Sequence, residues 1–321
     1  MGSGISQNQR NKFQPSQSFS SRNRGNTATQ HGHVTDALPM DHSHGMQAMS
    51  NSSPEGTAPS SGPMPRMTWK EFESVAYCMN HEKRGMAIII NNKTFQPHLK
   101  LEVRSGTDAD SMALLSTFQA LGFDVKPYDN KTVQEMITIL SDASNDSDYH
   151  RKSDCFICAI LTHGDEQDVL YGTDGKVGFE KILSFFKGKN CPGLVGKPKL
   201  FFIQACRGNN TDKGVALDVV DARVDAPRQI SIQKIPIEAD ILRAHSSVPG
   251  FAAWRHEKNG SWFIQALTEM LTKNWMTMDL LTILTCVNQK VAHQMTETEE
   301  KQVPMFTSTL TKVVFFTPKE S

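Results

Sequence analysis

Residues 155–161 read CFICAIL and run directly into Thr162-His163-Gly164-Asp165. An unbroken apolar run of this length, with no polar residue at alternate positions, is expected of a strand covered on both faces. Two further runs have the same character, MAIIIN at 86–91 and LFFIQ at 200–204, and IEADILRAHS at 237–246 predicts a fourth strand. Helical patterns fall between them. Residues 107–122 place Met112, Leu115, Phe118 and Leu121 at three-residue spacing and stop at Gly122. Segments 132–143, 179–187, 261–275 and 279–294 follow the same logic. Strands alternating with helices predict an α/β fold, with a mainly parallel central sheet flanked by helices in three layers, α/β/α.

The chain outside this pattern is polar. Residues 1–66 are rich in Ser, Asn, Gln, Gly, His and Pro without hydrophobic period, and are expected to be disordered. The pattern changes at Met67-Thr68-Trp69. A second polar stretch, 208–234, is too long for an ordinary loop and divides the folded part into a larger and a smaller piece.

Across 321 residues, Lys+Arg and Asp+Glu balance at 34 each, so no bulk charge points to nucleic acid or an anionic membrane as partner. The 6 cysteines are too sparse for a disulfide framework. No leader pattern or spanning apolar run is evident, so a soluble protein of the reducing cytoplasm is expected. Met1-Gly2-Ser3-Gly4-Ile5-Ser6 fits the myristoylation pattern at Gly2, but one acyl chain binds membranes only marginally. Cys155 and Cys158 have CxxC spacing within an apolar strand, which reads as packing; no metal or cofactor is expected.

In open α/β sheets, functional residues gather beyond the carboxyl ends of strands. Run 155–161 leads to His163, and run 200–204 leads to Ala205-Cys206-Arg207-Gly208, 43 positions later. A cysteine attacks as thiolate, and a neighbouring imidazole can take its proton and later protonate a leaving amine. The expected resting site is therefore a sulfur anion beside an imidazole. Gly164 and Cys206 could supply backbone N–H donors to an oxyanion.

Gln204-Ala205-Cys206-Arg207-Gly208 resembles the active-site signature of the caspases, with the histidine upstream. Further blocks are similar to that family: Arg84-Gly85-Met86-Ala87-Ile88-Ile89-Ile90-Asn91-Asn92, Arg104-Ser105-Gly106-Thr107-Asp108, Lys197-Pro198-Lys199-Leu200-Phe201, Pro249-Gly250-Phe251 with Trp254-Arg255, and Gly260-Ser261-Trp262-Phe263. The resemblance spans about residues 70–318, in family order, and implies the caspase-like fold. It implies Cys206 as nucleophile, His163 as acid–base partner, and the N–H groups of Gly164 and Cys206 as oxyanion hole. Arg104, Gln204 and Arg255 would line the pocket for a substrate aspartate, with Trp254 and Trp262 beside it. Two guanidinium groups in a closed pocket suit a carboxylate, through forked, charge-assisted hydrogen bonds.

The resemblance also implies a precursor, cut into a large subunit (67–221) and a small one (236–321) around a linker (222–235). Asp221 and Asp225 are candidate cleavage points, and Asp36 could release the N-terminal segment. A dimer of large/small heterodimers is implied, with residues 309–316 as candidate interface strand. An upstream caspase and inhibitor-of-apoptosis proteins are possible partners, protein substrates cut after Asp are expected, and the implied process is apoptosis. Executioner members commonly carry Tyr-Ser-Trp-Arg-Asn where this chain has Ala252-Ala253-Trp254-Arg255-His256, so an Asp-x-x-Asp preference is doubtful. Other readings are an inactive scaffold or dominant-negative relative, which typically lacks the Cys or His, and a clan member cutting after Arg or Lys, which needs an acidic pocket.

Overall fold

A computed structural model describes residues 33–35, 75–213 and 236–319. The expectations for Gly2, Asp36, Asp221, Asp225 and the 222–235 linker lie outside those residues. Within the stretch 1–66, read from composition as disordered, His33–Thr35 forms a short strand, β1.

A six-stranded sheet is the frame. It contains β2 (Met86–Asn91), β3 (Asp124–Asp129), β4 (Phe156–Leu161), β8 (Lys199–Gln204), β9 (Ile241–His245) and β12 (Met305–Ser308), in the order β12-β9-β8-β4-β2-β3. All pairings are parallel except β12 with β9. A three-stranded sheet of β5 (Gly164–Asp165), β6 (Val169–Tyr171) and β7 (Lys176–Gly178) follows β4. The hairpin β10 (Trp254–His256) and β11 (Gly260–Ser261) carries β1 on its other edge.

The continuous apolar runs are explained by burial on both faces. Ala87, Ile89, Ile157, Ala159, Leu200 and Phe202 pack on one side with α1 (Thr107–Ala120), α5 (Trp262–Asn274) and α6 (Leu280–Ala292). Ile88, Ile90, Phe156, Ile160, Phe201 and Ile203 pack on the other with α2 (Val133–Asn145) and α4 (Phe179–Ser184). A helix of 5 residues, α3 (Ser147–Arg151), follows α2. Strand parity also sends Cys155 and Cys158 into opposite layers, where burial pushes both thiols up. That spacing therefore serves packing.

Local chemistry sets the helix ends. Thr132 and Glu135 form a reciprocal capping box at α2. Gly122, at φ 86°, closes α1: its N–H reaches Gln119 O, and Phe123 N–H reaches Phe118 O. Ser261 and Asp279 cap α5 and α6.

Two strand expectations need correction, and one strand was not expected. The run 237–246 is strand only from Ile241, because Asp240 takes a left-handed backbone (φ 66°) and binds the Tyr77 hydroxyl at 2.6 Å. Residues 309–316 are not a strand. The sheet's edge is Met305–Ser308, while Val314 and Phe316 turn into the core, Phe316 edge-on to Phe123 at 5.9 Å. Asp124–Asp129 (DVKPYD) is a strand without an apolar run, since it is the opposite edge and only half covered, which also admits Pro127.

Candidate active site

The parallel register of β4 and β8 sets Leu161 beside Gln204, and Thr162 N–H donates to Gln204 O at 3.0 Å. His163 and Cys206 each follow two residues beyond that pair, so the sheet delivers them side by side. Glycine is required next to them: a Cβ on Gly164 would lie 2.2 Å from Cys206 O and 2.9 Å from the Ala205 side chain. The residue just before β10 comes to the same place. Ala253 N–H is 3.1 Å from Cys206 Sγ.

The titration states differ from the sequence expectation. Cys206 is 1% exposed, and burial pushes its thiol up to about 12, against smaller downward pulls from the Ala253 N–H and the Arg104 cation. His163 donates Nε2–H to Glu102 O at 2.8 Å, which makes Nδ1 the basic nitrogen. Its ring lies 4.8 Å from that of Phe95, and burial, then the Arg104 cation, lower its pKa to about 4. The resting pair is therefore a neutral thiol and a neutral imidazole, not the anion expected. Desolvation outweighs the attraction that an ion pair would need.

Arg104 and Arg255 are buried cations. Arg104 Nη1 donates to Thr107 Oγ1 at 2.8 Å and Asn92 O at 3.2 Å. Arg255 Nε donates to Ser105 O at 2.8 Å, beside Arg104 in the chain. Burial lowers each to about 10, well above neutrality, so both remain charged. Arg104 acts electrostatically on both Cys206 and His163, which puts the cation, the thiol and the imidazole in one site. Gln204 is buried at the carboxyl end of β8. Trp254 and Trp262 pack with ring centroids 6.4 Å apart, and Trp254 Nε1 is buried without a hydrogen-bond partner among the described residues.

Two supporting side chains escaped the sequence reading. Asp110 is buried and accepts the Ser261 N–H at 2.9 Å and Gln265 Nε2 at 2.9 Å, joining α1 to α5 behind the arginines. Gln302 accepts the Trp254 N–H at 2.6 Å and donates to Ser246 O at 2.6 Å, fixing β10 against the strand-end loop. Neither belongs to an apolar period. The nearest signal was Asp110 in the first turn of a helix next to the Arg104 block.

A buried Cys and His at adjacent strand ends, with two buried guanidinium groups beside them, define a thiol-hydrolase type of site on an α/β sheet. The caspase domain matches residues 84–315. Caspase-3 of Bos taurus is 44% identical over 248 residues, covering 75% of this chain and 87% of its own. Caspase-7 of Gallus gallus is 41% identical over 252 residues, covering 75% and 79%. The crystal structure of caspase-1 from Spodoptera frugiperda superposes with a TM-score of 0.69 at 39% identity, covering 76% of this chain and 96% of that one. The chain belongs to the caspase family and has the caspase-like three-layer fold. No helix among the described residues is long and apolar enough to cross a membrane.

Proposed function

We propose that this chain is an active cysteine endopeptidase that cuts proteins after aspartate in programmed cell death. The observation carrying this is the pair of buried cations, Arg104 and Arg255, gathered with Cys206 and His163. A carboxylate is the side chain that best complements two desolvated guanidinium groups, through forked, charge-assisted hydrogen bonds that a neutral isostere cannot match. Cys206 serves as nucleophile and His163 as acid–base group, with Gln204, Trp254 and Trp262 completing the pocket. Because both groups rest neutral, the thiol proton passes to Nδ1 as sulfur attacks, and the imidazole returns it to the leaving amine. The N–H groups of Gly164 and Cys206 hold the oxyanion.

The same reading makes the chain a zymogen of the cytoplasm, with a large part ending at Asp221 or Asp225 and a small part from residue 236. An upstream caspase cuts it, and it dimerises through the outer edge of β12, whose pairing with β9 leaves one side available. The test is turnover of peptides ending in Asp, Asn, Arg or Lys by wild type and Cys206→Ala. Cleavage after Asp by the wild type alone supports the proposal. Cleavage after Arg or Lys, or no turnover by processed wild type, contradicts it.

A further inference from the structure

The strand β1 lies in the candidate active site. It pairs antiparallel with β10, with His33 opposite His256, Val34 opposite Arg255 and Thr35 opposite Trp254. The other edge of β10 is taken by β11, with Arg255 opposite Ser261. β1 therefore occupies the edge at which an extended peptide could add to this hairpin. Strand addition of this kind supplies affinity through the backbone and leaves selectivity to flanking pockets.

Direction gives the pairing its meaning. Ala253, whose N–H is 3.1 Å from Cys206 Sγ, immediately precedes Trp254. An antiparallel partner of β10 thus runs from His256 toward the thiol, and β1 runs that way. The residue before Trp254 would be the next rung, and in the sequence the residue after Thr35 is Asp36, followed by Ala37. Were the ladder to continue by that one step, the aspartate would meet the residue whose N–H reaches the cysteine, and Arg255 is itself a rung of the described ladder. The chain between Thr35 and Val75 has a contour of about 130 Å, ample for its own residues to reach this edge.

We propose that residues 33–36 are a built-in substrate: the strand His33–Thr35 docks on β10 of the same molecule and delivers the Asp36–Ala37 peptide bond to Cys206. This rests on the aspartate-directed reading of the site. Until the bond is cut, the segment blocks the edge that other substrates need. In the cut, the Cys206 proton moves to His163 as sulfur bonds to the Asp36 carbonyl carbon. The C–N bond then breaks, and the Ala37 amine leaves with the proton returned by His163. Water hydrolyses the thioester, giving the Asp36 carboxylate and restoring the thiol.

The test uses the full chain, incubated alone over about a hundredfold range of concentration and followed by intact mass. A new N-terminus at Ala37 should appear with a first-order rate that does not change with concentration. Val34→Pro, which removes a strand donor and fixes φ, should slow it at least ~10-fold without lowering turnover of a short aspartyl peptide. Peptide turnover without that N-terminus, or a rate that scales with concentration, overturns the docking and leaves the aspartate reading standing. A second measurement needs no catalysis: a labelled Val-Thr-Asp peptide should bind the Cys206→Ala chain at least ~10-fold more tightly when residues 33–36 are deleted. Equal affinity overturns the docking, whatever the turnover assays give.

Discussion

The backbone N–H of Ala253 reaches the sulfur of Cys206 at 3.1 Å, across 47 positions of sequence and across the 214–235 stretch. The two sides of that stretch thus share one site. The thiol is supplied by the end of β8, and its nearest backbone donor and one of the two cations come from β10 and the residue before it. Strand β9, which leads there, is parallel to β8 and central in the sheet, so cutting within 214–235 leaves the two sides joined by a buried ladder.

The neutral resting pair has a kinetic signature. With the Cys206 thiol pushed up to about 12 by burial, alkylation of unprocessed chain by iodoacetamide should be slow at neutral pH. It should climb steadily to about pH 10 with no plateau below it, since only the thiolate reacts. A plateau near neutrality would mean a stable anion.

His163 also ties stability to pH. Its folded pKa of about 4 lies below the usual imidazole value, so between these values the unfolded chain binds the extra proton. Its contribution is complete above the unfolded pKa and declines as pH falls toward 4, by up to about 3 kcal/mol. Denaturant titrations between pH 7 and 4 should show a shallower decline for His163→Asn than for wild type.

Asp110 holds α1 to α5. Removing it in Asp110→Ala leaves the buried Ser261 N–H and Gln265 Nε2 without this acceptor. The expected loss is about 2–3 kcal/mol, read as a melting temperature lower by roughly 5–10 °C.

Gly164→Ala places a methyl group 2.2 Å from Cys206 O. The two loops must part, and a displacement of about 1 Å costs on the order of 10²-fold in kcat. Peptide turnover should fall by that factor, and the melting temperature should fall as well, because the methyl group meets backbone rather than a flexible side chain. Unchanged turnover would show that the loops have room the geometry denies.

The parts legible in the sequence were those with a local physical signature. The runs 86–91, 155–161 and 200–204 announce strands covered on both faces, and they are. His163 and Cys206 stood out as polar residues just beyond such runs. Arg104 and Arg255 have no local signature, because each looks like a surface charge until the fold buries it; the family blocks supplied them. The edge strands Asp124–Asp129 and Met305–Ser308 were missed for want of an apolar run. The neutral thiol could not be read from residue types, since desolvation depends on how closely Ala252 and Ala253 cover the sulfur.

The most direct test of the account is the ratio of kcat/KM for matched Asp and Asn peptides, in processed wild type and in Arg255→Met. Wild type should favour Asp by about 10⁴-fold, and Arg255→Met should lose at least ~10³-fold on Asp while its turnover of Asn changes little. Aspartyl turnover unchanged in Arg255→Met would contradict a pocket built from two buried cations.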